Sequence, residues 1–239
     1  MNKFRSIFVL WVLGFAILST GCSREPQQQY AFINFLQKDV IPRNSGILIP
    51  NANTRKKIGS YSTHYSVIVE YNKDLLEKVS RPLEKAQREY QDAVKPETSI
   101  KDRKEAIFKY QEALKSIKEI LDAEAASVEL KFAGMTQPDE VKDVYNQAFE
   151  KLVRTPTIGL KTFLIPATEE VLNKNLEFLE YISKTHGVEI KDGVIQVDKN
   201  IKGYESILIQ LQKMQGELRK MDIYIEEKYA DFMRQAISR

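Results

Sequence analysis

One cysteine and two histidines are all that 239 residues hold of thiol and imidazole, the usual zinc-binding groups. A lone thiol has no partner for an intramolecular disulfide, and two histidines without it are too few for a structural zinc site, so neither a metal nor a cofactor is expected. Long apolar runs are also scarce. The longest, Ile7 to Leu18, falls short of the roughly 18 to 20 residues that span a bilayer. Charge of one sign is missing too: 36 basic residues stand against 33 acidic ones. Setting Lys3 and Arg5 aside leaves 34 against 33, which provides no field for polyphosphate and argues against a nucleic-acid partner.

The cysteine sits where the apolar run gives way to polar sequence. Lys3 and Arg5 precede Ile7 to Leu18, and Ser19, Thr20 and Gly21 lead into Cys22. A charged start, a short apolar stretch and a small-residue exit describe a secretory signal peptide. The junction Gly21-Cys22 resembles a bacterial lipobox, with Ser19 in place of the usual leucine. That resemblance implies cleavage before Cys22 and acylation of the cysteine. Ser23, where an aspartate would retain the protein at the inner membrane, implies the periplasmic face of the outer membrane. The expected organisation is a signal peptide over 1–21, a lipidated tether over 22–29 and one helical domain over 30–239.

Apolar spacing carries the fold. Between Pro26 and Val40, Tyr30, Ile33, Leu36 and Val40, with Phe32 and Phe35 alongside, predict a short helix ended by Ile41-Pro42. Ile58, Tyr61, Tyr65, Ile68, Asn72, Leu75 and Val79 alternate steps of three and four, a heptad seam that resumes at Leu83, Ala86 and Tyr90. Pro82 between them predicts a kink or break. After a turn at Pro96 and a cap at Ser99, Ile100, Ile107, Leu114, Leu121 and Val128 recur every seven residues. Pro138 opens a further helix through Leu152. Thr155-Pro156 and Ile165-Pro166 are expected to punctuate the chain, with a new helix from Pro166 closed by His186-Gly187. Val188 to Asp198 changes period, and Lys191-Asp192-Gly193 predicts a β-hairpin. The last helix carries Tyr204, Leu211, Leu218, Ile225 and Phe232. The fold class is mainly all-α: an elongated helical bundle of long heptad-patterned helices with one short hairpin near 188–198.

The segments "YAFINFLQKDVIP", "IGSYSTHYSVIVEYN", "VYNQAFEKLVRTPTIGLKTFLIPA" and "GVEIKDGVIQ", together with Arg81-Pro82, resemble the YiaF-like family of bacterial lipoproteins, a domain of unknown function. The resemblance runs from about Gln28 to the last helix and implies export and lipidation. It brings no catalytic residues.

No catalytic constellation emerges from the residues. His64 stands near Ser60, Ser62 and Thr63 without the strand-turn-helix context of a nucleophile elbow and with no acid placed to orient it, so a helix-surface or partly buried histidine is the reading. His186 reads as a helix C-terminal cap. Asn72 on an apolar seam either selects register or is exposed by a small rotation. Tyr61, Tyr65 and Tyr71, with Asn72, form a candidate interaction surface, against which stands core packing with hydroxyls reaching the surface. Arg55, Lys56 and Lys57 could lean on anionic lipid near the anchor. The expected function is a non-enzymatic, lipid-anchored scaffold that meets the membrane through its acyl group and an unidentified envelope protein through its body. The alternative is a binding module for a lipid or other small apolar ligand.

Overall fold

The computed structural model describes residues 24–43, 46–95, 98–191 and 194–237, with side chains given to 228 and at 230. Six helices and one hairpin account for the described chain. Helix α1 spans 25–40, α2 Ala52–Ile58, α3 61–93, α4 Ile100–Ala133, α5 139–184 and α6 Tyr204–Ile237; strands β1 Val188–Lys191 and β2 Val194–Val197 join α5 to α6. No helix among the described residues is long and apolar enough to cross a membrane.

The seams read from the sequence are the faces that are buried. Tyr61, Tyr65, Ile68, Leu75, Val79 and Leu83 of α3 meet Ile107, Leu114, Leu121 and Val128 of α4 and Val141, Tyr145, Phe149, Leu160 and Leu172 of α5 in one core. Helices α3 and α4 run antiparallel, as Lys78–Glu124 (2.6 Å) and Lys131–Glu70 (3.7 Å) show at successive levels. Helix α5 returns alongside α4, with Arg154 on Glu129 at one level and Gln111 on Asn173 at another. At about 1.5 Å per residue α5 is about 70 Å long, so the bundle is elongated. Helix α6 folds back antiparallel along α5, burying Leu211 and Leu218, with Phe163 and Tyr224 in edge contact. Phe232 lies beyond the described side chains.

Four expectations need correction. The tether was expected to run to Gln29, but α1 already begins at Glu25. Pro26 occupies the first turn of α1, where its missing amide costs nothing, and the helix is covered by α2 and α5, so these residues are ordered. Gln28 packs over Gly59, whose φ of 57° falls in the left-handed region and whose missing Cβ would lie 2.1 Å from Gln28 Cδ. The second correction concerns the prolines: Pro82, Pro156 and Pro166 neither break nor end their helices.

Each of those prolines comes two residues after a π-helical turn: Leu75–Ser80 before Pro82, Glu150–Arg154 before Pro156, Leu160–Leu164 before Pro166. Phe35–Val40 precedes Pro42 in the same way, and there α1 does end, as expected. In every case the residue before proline donates five residues back: Ile41 to Leu36, Arg81 to Leu76, Thr155 to Glu150 and Ile165 to Leu160. The widened turn removes the carbonyl that a pyrrolidine ring would strike in a plain α-helix, and the chain continues.

Thirdly, the tyrosines do not form a surface. Tyr61, Tyr65 and Tyr71 are 3%, 0% and 3% exposed, because α1 covers the first two and α5 the third. Phe32 of α1 stacks on Tyr61 at 5.2 Å and Phe35 meets Tyr65 edge-on at 5.1 Å. The hairpin pairs Val188 with Val197 and Lys191 with Val194, and Ile190 packs against the core; Asp192 and Gly193 lie outside the described residues. Lastly, helix α5 ends at Lys184 with Thr185, in extended conformation, as its C-cap, so the helix is not closed by His186-Gly187; Gly187, at φ 75°, lies in the turn that leads into β1.

Candidate functional site

Cys22 and Gly21 lie outside the described residues. Three positions after Cys22, Glu25 opens α1, and within about three turns that helix commits Phe32, Phe35 and Leu36 to the core. Around Phe32 the aromatic rings of Tyr61, Tyr145, Phe132 and Phe149 join four helices. Tyr145 Oη donates to the His64 carbonyl at 2.7 Å, and burial holds its pKa far above the ordinary phenol value. His64 is half-buried, with its Nδ1 2.9 Å from Gln137 Nε2 and its ring edge-on to Tyr61. Burial lowers its pKa. Through Gln137 the histidine closes the α4–α5 connection onto α3.

Asn72 has a specific task. Pro156 has no amide to offer the carbonyl four residues back, that of Leu152. Asn72 Nδ2 donates to this carbonyl at 3.0 Å and to Ile68 O at 2.9 Å. The seam amide thus fixes α3 against α5 at the level of the π turn, which is a register role. One step along, Tyr71 Oη bonds Thr157 Oγ1, while Thr157 in turn donates to the Val153 carbonyl. Burial raises the Tyr71 pKa. Tyr65 is the contrasting case: its hydroxyl is buried and has no partner among the described residues.

Sequence reasoning missed Arg154. Its Nε and Nη2 grip Glu129 at 2.7 and 2.8 Å, Nη1 reaches Glu150 at 3.3 Å, and its guanidinium lies 5.3 and 5.1 Å from the Phe132 and Phe149 ring centres. Only the spacing of Glu150 and Arg154 hinted at it. The hydrogen bonds from Arg154 hold the Glu129 carboxyl below the ordinary carboxylate range. A depressed folded-state pKa contributes stability above the unfolded value of about 4.3, and this is lost as pH falls through the folded value. Arg154→Lys, which loses the fork and the stacking, should lower stability by about 1 kcal/mol at neutral pH, since both partners are partly exposed. The gap between the thermal melts of the two proteins should narrow below that window, to what the lost stacking on Phe132 and Phe149 leaves.

At the far end of the bundle the helices separate around a groove of about 410 Å³. Its floor is Leu83, Ile107, Leu164, Leu172 and Leu179, and its walls carry Tyr90 and Phe178. It exists because α6 leans on α5, leaving a gap towards α3 and α4. Burial, with Asp222 nearby, pushes the Tyr90 pKa up to about 12. Asp222 stands on the α6 lip with its carboxyl against the groove, and that partial burial, with Glu226 one turn on, raises its pKa. Among the described residues no group of three metal-ligating side chains comes together.

Comparison with known proteins adds family but not activity. Over 172 residues the chain is 28% identical to the uncharacterized protein YiaF of Escherichia coli (strain K12), covering 69% of this chain and 70% of that one. The uncharacterized protein YiaF of Shigella flexneri is similar to the same extent. No solved structure matches. A family model described as "Protein of unknown function (DUF3053)" matches residues 9–222, so the chain belongs to the DUF3053 family.

Proposed function

We propose that this protein is anchored in the cell envelope by acylation of Cys22, on the periplasmic face of the outer membrane, and that its helical body is a non-enzymatic scaffold for an envelope protein. The observation that carries this reading is the closeness of Cys22 to α1. Ser23 and Arg24 alone separate it from a helix whose apolar face is locked into the core. An acyl group at Cys22 leaves almost no slack, so the membrane holds one end of the bundle directly. One acyl chain gives marginal binding and two give stable anchoring. Confinement to a leaflet then raises the effective concentration near membrane-bound partners.

The long axis supports the same reading. Gln29 of α1 meets Glu140 at the start of α5, whereas the groove surrounds Leu172, about 45–50 Å further along that helix. In this reading the moored end and the groove stand at opposite ends of the bundle. The structural engagement of His64 with Gln137 and Tyr61 is what favours a non-enzymatic role. Cys22→Ser should move the protein from the membrane fraction to the soluble or unprocessed fraction and remove the proteins captured with it. Unchanged membrane retention of a processed Cys22→Ser chain would contradict the proposal.

A second reading, a binding module for a lipid or other small apolar ligand, is favoured by the distal groove. Its volume lies at the lower end of the range for small-molecule sites, about 300–1,000 Å³, and its lining is mainly apolar with a few polar groups at the mouth.

A further inference from the structure

Between Asp39 and Glu70 the chain has no carboxylate, although 33 of its 239 residues are Asp or Glu. Four permanent cations fall in that interval, Arg43, Arg55, Lys56 and Lys57, and all are exposed. Elsewhere basic residues on helix surfaces meet an acid: Lys109 holds Glu105 at 2.8 Å, Lys174 holds Glu177 at 2.8 Å and Lys184 holds Glu180 at 2.9 Å. On α2 they do not. Arg55 Nε donates to the Pro50 carbonyl at 2.9 Å, and Lys56 and Lys57 make neither a hydrogen bond nor an ion pair with any described residue.

This charge lies at the end of the bundle that carries Cys22. Helix α2 packs along α1, and Gln28 of α1 covers Gly59 at the close of α2. Three helical steps and three extended ones put Cys22 at most about 15 Å from Gln28. Arg24, exposed and without an ionic partner among the described residues, stands on that path. Of the carboxylates nearby, Glu25 adds to the rise that burial gives the Tyr61 pKa, and Glu140 accepts from Gln29 at 3.3 Å. Neither meets a cation of α2. The field of an anionic leaflet falls off within a Debye length, about 8 Å at physiological ionic strength, so an acyl group at Cys22 confines α2 to about two such lengths of the surface.

We infer that α2 is a lipid-contact element: Lys56 and Lys57, with Arg24 and Arg55 beside them, rest on the anionic phospholipid headgroups of the leaflet that holds Cys22. The inference rests on the anchoring proposed above and adds to it a second, charge-based contact. Stable attachment commonly takes two such signals, and a lateral one also sets which side of the bundle faces the lipid.

The test uses the mature chain, residues 22–239, carrying Cys22→Ser, so that no acyl group contributes. It is sedimented with vesicles of phosphatidylglycerol mixed with phosphatidylcholine, and with vesicles of phosphatidylcholine alone. The anionic vesicles should carry the protein down at low salt and release it as salt rises, while the neutral ones should not carry it. Each basic residue near an anionic surface changes partitioning about fivefold, so Lys56→Gln with Lys57→Gln should weaken it about 30-fold. Both side chains are exposed and unpaired, so thermal melting should be unchanged. Lys213→Gln with Lys220→Gln, an exposed pair on α6 with the same change in net charge, should leave partitioning as it was. No preference for the anionic vesicles, or an equal loss from the α6 pair, would overturn the inference and turn these cations towards an acidic protein or bulk solvent. Neither result bears on acylation of Cys22, which the mass of the native N-terminus decides separately.

Discussion

Tyr145→Ala is expected to lower the stability of the bundle by about 3–5 kcal/mol, the cost of removing a large, fully buried aromatic ring. The position is demanding because one ring serves three elements. It lies against Phe32 of α1, stacks at 5.8 Å on Phe132 of α4, and its hydroxyl satisfies the His64 carbonyl of α3. Tyr145→Phe keeps the packing and removes only a second hydrogen bond to that carbonyl, which the Ile68 amide of the same helix also reaches, so it should cost about 1 kcal/mol. Denaturant titration of the two variants separates packing from hydrogen bonding. The same hub docks the helix that follows Cys22, so Tyr145→Ala should also make α1 exchange its amides faster than α4. Uniform acceleration across both helices would argue against α1 depending on this hub.

Deleting Thr162 from the second π turn of α5 should cost about 3 kcal/mol, and Pro166→Ala in the same chain should recover most of it. A π turn is one residue more than an α-helix needs between the same two faces. Removing Thr162, which is exposed and bonds only back to Ile158, brings Leu160 and Leu164 to a spacing of three. An α-helix accommodates that spacing on one face, so the deletion keeps the seam in register. It also returns the carbonyl to the path of the Pro166 ring, and that clash is the predicted cost. Calorimetric melting of both variants decides the point. A deletion as costly in the Pro166→Ala background as in the native one would mean that the widened turn has no connection with the proline.

The π turns explain why the sequence reading erred where it did. Proline is a sound stop signal for a regular helix, and Pro42 obeyed it. At Pro82, Pro156 and Pro166 another pattern was present. Buried residues advance by four in succession, as Tyr71, Leu75, Val79 and Leu83 do in α3, and as Leu160, Leu164, Thr168 and Leu172 do in α5. In a regular α-helix each step of four drifts by about 40°, so three in a row would leave the core. A wider turn absorbs the drift. Runs of fours that meet a proline are thus a readable sign of a continuous helix, one that a heptad template averages away.

Other features were legible because they depend on local spacing alone. The seam of α4, the Ser99 cap, whose hydroxyl accepts from the Asp102 amide, and the hairpin all lie where apolar periodicity and turn chemistry place them. Asn72 was legible as an anomaly on a seam, but its partner at Leu152 was not, because the partner exists only through a proline that lies far along the chain on another helix. Tyr61, Tyr65 and Tyr71 were ambiguous for a similar reason. A stripe of tyrosines suits an interface or a core equally well, and α1 decides between them by covering the first two. The groove could not be read from one dimension. It follows from the sideways placement of α6, which flanks its seam with Asp222 and Glu226 rather than with residues that would close the gap.

Intact-mass and N-terminal fragment analysis of the native protein, isolated from its own membranes, bears most directly on the whole account. A product that starts at residue 22 and carries fatty acyl mass on its first residue is the predicted result. A chain still starting at Met1, or one with a free sulfhydryl at residue 22 recovered from a soluble extract, would contradict it.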